Sequence, residues 1–263
     1  MEKKEIIDNV SDVAGLAVGA AAGAGLGTAI AGPVGAVGGA LAGDAIERAF
    51  KWAGNEISKR ILSKREEKRI SDVMTIAKEK IKSNFEENKV LRADDFFSEI
   101  DNRTSAEEIL EGTLIAAQKE YEERKIKYIA NLYANIAFDE SISREIADRL
   151  IKISSELTYR QLMILCAVGF VQIGKVPSKQ DTYGEVSGLN DVSIASDIFD
   201  LYRKSLIFSS EAMWDAAGIN PSALTLGGYG ALLYNLMELP RIPLADKDCI
   251  DILIFLGALK KNK

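Results

Sequence analysis

The chain has 263 residues, of which 47% are hydrophobic and 27% charged, and its formal net charge is −6. This composition fits a folded protein of two or three structural units. The sequence contains no histidine, which excludes Ser–His and Cys–His nucleophile systems and removes the commonest metal ligand. No carboxylate pair stands in a recognisable catalytic motif, so we expect a protein that is not an enzyme and needs neither a cofactor nor a metal ion.

Glycine recurs in one register through an uncharged segment that runs from Val13 to Gly43. Positions four apart lie on one face of a helix, so this register would form a flat strip without side chains, against which a second backbone packs closely. Such packing of small residues is typical of helices that associate within membranes. We therefore expect homo-oligomers held together by this glycine strip. Its members, interrupted in register by Ala31, are Gly15, Gly19, Gly23, Gly27, Gly35, Gly39 and Gly43.

The segment divides at Gly32-Pro33, because proline lacks an amide hydrogen and disfavours helical geometry in the preceding residue. The first piece, Val13 to Ala31, would form a helix of about 28 Å, close to the roughly 30 Å hydrocarbon core of a bilayer. The second piece, Pro33 to Gly43, would reach only about 16 Å, but it could continue as an amphipathic helix through Trp52. A helical hairpin that turns at Pro33 fits this pattern, and so does one kinked helix.

Large aliphatic side chains are few in this segment, so its transfer into a bilayer would be weakly favourable. We expect conditional insertion, stabilised when several copies meet, with charged residues of the continuation lining a wet lumen or lying at the interface. Two other interpretations remain open: a glycine-rich hairpin buried in a soluble protein, and a disordered linker, although interleaved aliphatic residues argue against the linker. The charged residues of the continuation are Asp44, Glu47, Arg48 and Lys51.

A basic neck follows the uncharged segment, since the chain from Asp44 to Arg92 carries 13 Lys/Arg against 9 Asp/Glu. The cytoplasmic flanks of membrane segments carry such an excess, and anionic lipid headgroups would attract it. A solvated helix with charge pairs four residues apart explains the run equally well. No aromatic residues are interleaved for base stacking, so we do not expect a nucleic-acid partner here. The residues of this basic neck are Lys59, Arg60, Lys64, Arg65, Lys68 and Arg69.

Amphipathic helices are predicted over the middle of the chain. Ile70 to Asn84 has the period of one helix, and Ser143 to Ile153 that of another. Between them, a capping box at Ser105–Glu108 predicts a long helix that continues to about Ala137. The aromatic residues expected in the core along this long helix, rather than in a ligand site, are Tyr121, Tyr128 and Tyr133.

The predicted elements from Thr158 to Pro240 follow the order helix, helix, strand, strand, helix, which is typical of a winged-helix unit. A capping box at Thr158–Gln161 begins the first helix, and Gly169 is its expected terminator. Asp191 is the expected cap of the second helix. The predicted segments are the helices Leu162–Val168 and Asp191–Lys204, the strands Leu206–Phe208 and Ala223–Leu226, and the helix Tyr229–Leu239, stopped by Pro240.

The second helix of this unit would be the recognition helix of a winged-helix fold. It offers Arg203 and Lys204 against Asp191, Asp197 and Asp200, and such an acidic helix matches nucleic-acid phosphates poorly. We therefore expect the unit to contact or sense proteins.

A short apolar helix with a basic tip, Ile250–Leu259 followed by Lys260 and Lys261, is too short to cross a bilayer. We expect it to pack against the body, with docking at a membrane interface as the alternative. The two cysteines, Cys166 and Cys249, are far apart and have no metal-ligand spacing. We expect them to be buried free thiols in a reducing compartment.

The stretch Glu123–Phe138, taken together with Leu157–Leu162, resembles a bacterial family called Abi-alpha. Leu224–Gly228 and Leu236–Leu239 extend the similarity, which covers roughly residues 100 to 240. These are packing motifs, and they carry no catalytic residues to transfer. The family is associated by name with abortive infection, in which an infected cell is sacrificed to stop a phage. The resemblance therefore implies a bacterial cytoplasmic origin and a role in antiphage defence.

Together these patterns predict a mainly α-helical fold: a glycine-zipper helical hairpin, a helical middle region and a C-terminal winged-helix-like unit with two or three short strands. The expected domains are residues 1–54, 55–155 and 156–245, followed by a C-terminal helix and tail at 246–263. We expect a non-enzymatic effector with a cytoplasmic body that self-associates and permeabilises or depolarises the bacterial inner membrane in antiphage defence. A protein partner or phage trigger would act at the winged-helix-like unit. The rival interpretation is a soluble oligomeric scaffold or winged-helix regulator that uses the glycine-rich hairpin for assembly.

Overall fold

The computed structural model describes residues 43 to 257, apart from 44, 58, 101, 175–177, 179–185, 187, 214–217 and 244–245. The fold is mainly α-helical, as the sequence predicts. The chain divides into two compact units, Met1–Ser155 and Glu156–Lys263. The predicted glycine-zipper hairpin lies outside the described residues, except for Gly43. Within the described residues, no helix has both the length and the apolar character needed to cross a bilayer.

The described part of the first unit consists of helices joined by short turns and one small antiparallel sheet, in which Glu99 pairs with Thr104 and Ile100 with Arg103. Helix α2 packs against α3 and α4 to form the centre of the unit. The elements in chain order are α1 (residues 45–57), α2 (Lys64–Glu86), β1 (Glu99–Ile100), β2 (Arg103–Thr104), α3 (Ser105–Lys119), α4 (Ile126–Ile136) and α5 (Arg144–Glu156).

Helix α2 shows why the sequence patterns of this unit predict its helices well. Ser63 caps it, accepting a hydrogen bond from the Glu66 N–H, while the Glu66 carboxylate accepts one from the Ser63 N–H at 2.8 Å. Val73, Ala77 and Ile81 recur at the spacing of one helical face, and all three are buried. The predicted helix at Ile70–Asn84 is confirmed with wider bounds. The one at Ser143–Ile153 is confirmed, but it begins at Arg144 and continues to Glu156.

The long helix predicted from Ser105 to about Ala137 is wrong, because the chain leaves helical geometry at Glu120. Glu120 takes an extended conformation, and its buried carboxylate accepts hydrogen bonds from the Lys125 ammonium and from the Glu122 N–H. This local ion pair fixes a turn that separates α3 from α4. Tyr121 falls in the turn and is 77% exposed, so its predicted core position is also wrong, whereas Tyr128 and Tyr133 are buried as predicted.

The capping box of α3 lies one residue earlier than predicted. Thr104, not Ser105, accepts the hydrogen bond from the Glu107 N–H, at 3.1 Å, and the Glu107 carboxylate accepts from the Thr104 N–H at 2.8 Å. The sequence offers two overlapping boxes of the same type. Thr104 is the one that enters the helix from an extended strand residue, which is the geometry that a cap requires.

The described part of the second unit has the order helix, helix, strand, strand, helix, followed by a last short helix. Its two strands are antiparallel, with Ile207 opposite Leu226 and Ser209 opposite Leu224. The elements are α6 (Tyr159–Gln172), α7 (Leu189–Arg203), β3 (Ile207–Ser209), β4 (Leu224–Leu226), α8 (Gly228–Leu236) and α9 (Lys247–Phe255). The Thr158–Gln161 capping box of α6 is confirmed.

Three of the predicted helix ends in this unit are wrong. Gly169 does not end α6; the helix continues to Gln172, and Gly174 follows with a left-handed φ of 68°. Asp191 lies inside the first turn of α7, whose N-cap is Gly188. Helix α8 ends at Leu236, before Glu238 adopts left-handed geometry, so Pro240 is not its stop signal.

Helix α9 begins three residues before its predicted start and is capped by the Asp246 carboxylate. It packs against α6 and α7, as expected for a helix too short to cross a bilayer. Cys166 and Cys249 are both buried and free, as the sequence predicts. Burial raises the pKa of the Cys249 thiol to about 11. Lys260 and Lys261 lie outside the described residues.

Glycine allows the start of α8 to approach the backbone just before β3 more closely than any other residue would. A Cβ placed on Gly230 would lie 1.8 Å from the Leu206 carbonyl oxygen, and one on Gly227 would lie 2.6 Å from the Ser205 carbonyl oxygen. Backbone atoms cannot move aside as a flexible side chain can. The Leu224–Gly228 sequence and Gly230 thus belong to one contact between a strand pair and a helix.

We predict that Gly230→Ala destabilises the second unit by about 2–4 kcal/mol, since the clash outweighs the roughly 1 kcal/mol that alanine gains in helix propensity. The matched control is Gly228→Ala, because a Cβ there would meet nothing within 4 Å. Calorimetric unfolding of the two variants checks the prediction. Equal midpoints would show that the close approach of α8 does not constrain residue 230.

Candidate functional site

Most residues of the predicted glycine strip precede the part of the chain that the structure describes. Gly15, Gly19, Gly23, Gly27, Pro33, Gly35 and Gly39 lie outside the described residues. Gly43, the last member of the glycine strip, is helical and buried. The structure therefore describes the junction at which the glycine strip joins the body, and this junction, formed by α1 and the turn after it, is the candidate site.

Helix α1 packs into the core of the first unit through one face. Ala49, Phe50, Ala53 and Ile57 recur at intervals of one, three and four residues and are each 1% exposed or less. The Phe50 ring meets the ring of Tyr133 on α4 edge to face, with centroids 5.9 Å apart. This arrangement differs from the expectation that these residues continue a membrane helix, because the apolar face of α1 is occupied by the protein core.

The ring that Phe50 of α1 packs against carries a polar group that has no partner among the described residues. The Tyr133 hydroxyl is fully buried and forms no hydrogen bond there. Burial raises the pKa of Tyr133 well above its ordinary value, and the nearby Glu107 carboxylate adds to the shift, so the hydroxyl stays protonated. An unsatisfied buried hydroxyl costs about 1–3 kcal/mol.

A shared carboxylate ties both ends of the junction to α3. Arg60, just after α1, donates to one oxygen of Glu111 at 2.5 Å, and Arg103 of β2 donates to the other oxygen at 2.5 Å. The Arg103 guanidinium also lies over the Trp52 ring of α1, 4.3 Å from its centroid. The three charged side chains are 21–34% exposed, so screening limits each pair to about 1 kcal/mol.

The basic neck does not form one continuous cationic surface. Arg60 bonds to Glu111, Arg69 donates to the Gln118 carbonyl at 3.3 Å, and Lys68 pairs with Asp72 at 2.5 Å. Lys59 pairs with Glu56 on the surface at 2.5 Å. The expectation of charge pairs on a solvated helix thus describes part of the neck. Among the described residues, Lys64 and Arg65 form no ion pair and are exposed.

The acidic residues Glu66 of α2 and Glu47 of α1 are both engaged, the first in the cap of α2 and the second in an ion pair. Hydrogen bonds from Ser63, and a further one from Gln118, lower the pKa of Glu66 to about 2, so Glu66 is ionised at any physiological pH. On α1, Glu47 pairs with Lys51 at 2.5 Å. The residues expected to line a lumen are therefore a surface pair, Glu47 and Lys51, and the exposed Arg48, while Asp44 lies outside the described residues.

A charged groove of about 390 Å³ lies beside the junction, between α3 and α5. Arg144 of α5 pairs across it with Glu108 of α3. The groove wall also includes both members of the Arg103–Glu111 pair. The groove thus adjoins the Glu111 carboxylate, which accepts hydrogen bonds from Arg60 and Arg103. The charged side chains that line the groove are mostly paired with one another.

The outward face of α7 differs from the acidic surface predicted for a recognition helix. Asp197 accepts from Arg160 of α6 at 2.5 Å, and Asp200 accepts from the Gln161 amide at 2.9 Å, so both carboxylates face α6. Leu189 and Val192 are instead 87% and 50% exposed at the start of α7.

Sequence reasoning missed Glu111, Arg103 and Trp52 as parts of one contact. Arg60 and Glu111 are 51 residues apart, and nothing local in either segment indicates the other. It also missed Ile61, which is 97% exposed. A signal for Ile61 exists, because it stands between two Lys-Arg pairs outside the apolar period of α1 and α2.

Comparison of the chain with protein-family models, with curated proteins and with solved structures finds no match. The resemblance to Abi-alpha therefore stays an interpretation of the sequence stretches that carry it.

We predict that Phe50→Ala lowers the free energy of unfolding of the first unit by about 3–5 kcal/mol, because it removes a fully buried ring from between α1 and α4. Arg48→Ala on the exposed side of α1 is the control and should change that energy by less than about 0.5 kcal/mol. Denaturant unfolding measures both. A small effect of Phe50→Ala would mean that α1 is not part of the core.

Proposed function

We propose that this protein is a non-enzymatic membrane effector whose glycine strip self-associates and permeabilises or depolarises the bacterial inner membrane. The observation that carries this proposal is the register of Gly15, Gly19, Gly23 and Gly27, and its continuation after Pro33, within a segment that has no charged side chain. Backbones in contact along such a register gain packing energy that lipid cannot offer.

The packing of α1 limits how much chain can enter a bilayer. While Phe50 occupies the core, the membrane segment ends before residue 45 and cannot extend through Trp52. The piece Val13–Ala31 then has spanning length, at about 28 Å, and the piece Pro33–Gly43 reaches about 16 Å. The short piece returns to the interface or packs against its neighbours. The body stays outside the bilayer, attached through α1.

The second unit has the role of sensor in this proposal. Its helix–helix–strand–strand–helix order supports a winged-helix-like module, and the exposed Leu189 and Val192 offer an apolar contact for a protein. The resemblance of Glu123–Phe138 to Abi-alpha supports a phage-derived trigger and a role in antiphage defence.

We predict that Gly23→Leu and Gly39→Leu, alone or together, abolish self-association and depolarisation, because each places a bulky side chain in the close-contact register. Gly25→Leu and Gly38→Leu are the matched controls. They add the same bulk and apolar surface outside the register, and they should retain at least half of the activity of the unchanged chain on this account. A membrane-potential dye in expressing bacteria, with chemical crosslinking of the same cells, measures both properties.

Equal depolarisation by register and control variants would contradict the proposal. Membrane fractionation distinguishes the membrane effector from the rival interpretation, a soluble scaffold. A fully soluble oligomer that still depends on the glycine register would indicate the scaffold. A truncated chain that lacks the glycine strip should begin at Gly43 and serve as the negative control for depolarisation. A truncation that begins near Asn55 would also remove the core residues Ala49, Phe50 and Ala53.

A further inference from the structure

The turn between α1 and α2 exposes an isoleucine almost completely. Ile61 is 97% exposed, more than any other large hydrophobic residue in the described part of the chain. A single exposed aliphatic residue does not by itself indicate an interaction site. Here it stands between Lys59-Arg60 and Lys64-Arg65, and Leu62 beside it is half-buried. We call residues Lys59–Arg65 the basic turn.

Two of the four cations of the basic turn, Lys64 and Arg65, lie where the fold of the body gains nothing from them. Lys64 and Arg65 occupy the first two positions of α2, at the positive end of its dipole, where cations are unfavourable. Both are exposed and, within the described residues, form no ion pair. The helix already has its favourable charges there, in Glu66 and Glu67. Both the bare Ile61 and these two cations therefore disfavour the isolated body slightly.

An anionic bilayer is the partner that makes both features favourable. Lipid headgroups attract Lys and Arg, and the acyl boundary beneath them accepts an aliphatic side chain. The exposed positions of α1 add to this match, because Arg48, Lys51 and Asn55 recur along one helical face and two of them are cationic. A protein partner would instead need a second apolar residue near Ile61 to form a packed centre, and the exposed residues of the turn are otherwise charged or polar.

The distance between the turn and the glycine strip suits attachment to one surface. Helix α1 covers 13 positions, about 20 Å, between Gly43 and the basic turn. If the glycine strip enters a bilayer and the basic turn contacts the surface of the same bilayer, α1 lies along that surface. The apolar face of α1 then stays in the core of the first unit, as the packing of Phe50 requires.

We propose that the basic turn is a peripheral membrane anchor, which inserts Ile61 at the acyl boundary of an anionic bilayer and places Lys59, Lys64 and Arg65 among the headgroups. This inference rests on the membrane location in the proposed function, but it does not depend on self-association of the glycine strip. Each cation near an anionic surface raises affinity by a factor of roughly five, so the anchor is weak and reversible alone. It supplies the second attachment that a poorly hydrophobic insertion segment needs.

The test is titration of the full chain with phosphatidylcholine vesicles that contain or lack phosphatidylserine. Ile61→Ser should weaken binding to the anionic vesicles about tenfold or more, because the serine gains nothing at the acyl boundary. Its control is Val90→Ser, which alters another residue that is 81% exposed in the same unit. The Val90→Ser chain should bind within about twofold of the unchanged chain.

The charges are tested in the same titration. Lys64→Gln with Arg65→Gln should weaken binding to anionic vesicles about 25-fold and leave binding to phosphatidylcholine alone unchanged. Lys119→Gln with Arg149→Gln removes two exposed cations elsewhere in the unit and is the control. If Ile61→Ser and Val90→Ser bind alike, or if the two double variants bind alike, the anchor is refuted.

The titration is repeated in the Gly23→Leu and Gly39→Leu chain so that the two proposals can fail separately. Binding that still depends on Ile61, together with normal depolarisation by that chain, would overturn the glycine register and retain the anchor. Binding that ignores Ile61, with depolarisation lost, would overturn the anchor and retain the register. A full chain that binds no vesicle of either composition would overturn the anchor and the membrane location together.

Discussion

The packing of Phe50 against Tyr133 is the constraint on which the rest of the account depends. It fixes where the body ends and where a membrane segment can begin, because a helix whose apolar face is enclosed by α4 cannot also face lipid. The junction is thus stabilised by apolar contacts between α1 and the core of the first unit.

The body around this junction is held by buried charges that are locally paired. Arg92 is buried and donates to the Ile142 carbonyl at 2.9 Å and to the Asp94 carboxylate. That hydrogen bond lowers the pKa of Asp94, whose stabilising contribution is present above its unfolded pKa and is lost as the pH falls through the lower, folded pKa. Lys125 and Glu120 form a second pair of this kind. Such pairs fix the turns between helices, so the body to which α1 is attached has a defined geometry.

Local rules predicted much of the fold and failed where a distant residue decides. Capping at Ser63 and Thr158 and the apolar periods of α2, α5 and α6 are visible in the sequence because each involves residues within one or two helical turns. Gly169 has the appearance of a helix terminator, but its missing Cβ accommodates the ring of Tyr234, 65 positions later, where an added Cβ would lie 2.2 Å from a ring carbon. No local pattern reveals that contact.

The candidate site divides in the same way. The glycine register and the excess of cations are properties of consecutive residues, so the sequence predicts them directly. The sequence does not predict which of these cations are bonded and which are exposed. Arg60 and Arg69 bond to α3, whereas Lys64 and Arg65 are exposed, because the three-dimensional fold brings α3 beside the neck. The flanking Lys-Arg pairs are a local signal for Ile61, but its nearly complete exposure follows from how α1 and α2 are joined.

Cysteine scanning of residues 13–43 in membranes of expressing cells tests the central claim most directly. With Cys166 and Cys249 buried, each introduced thiol is the accessible one in its chain. The account predicts that disulfide formation between copies rises and falls with a period of four residues, with maxima at the positions of Gly15, Gly19, Gly23 and Gly27. Yields that show no period, or maxima at the positions of Gly25 and Gly38, would contradict it.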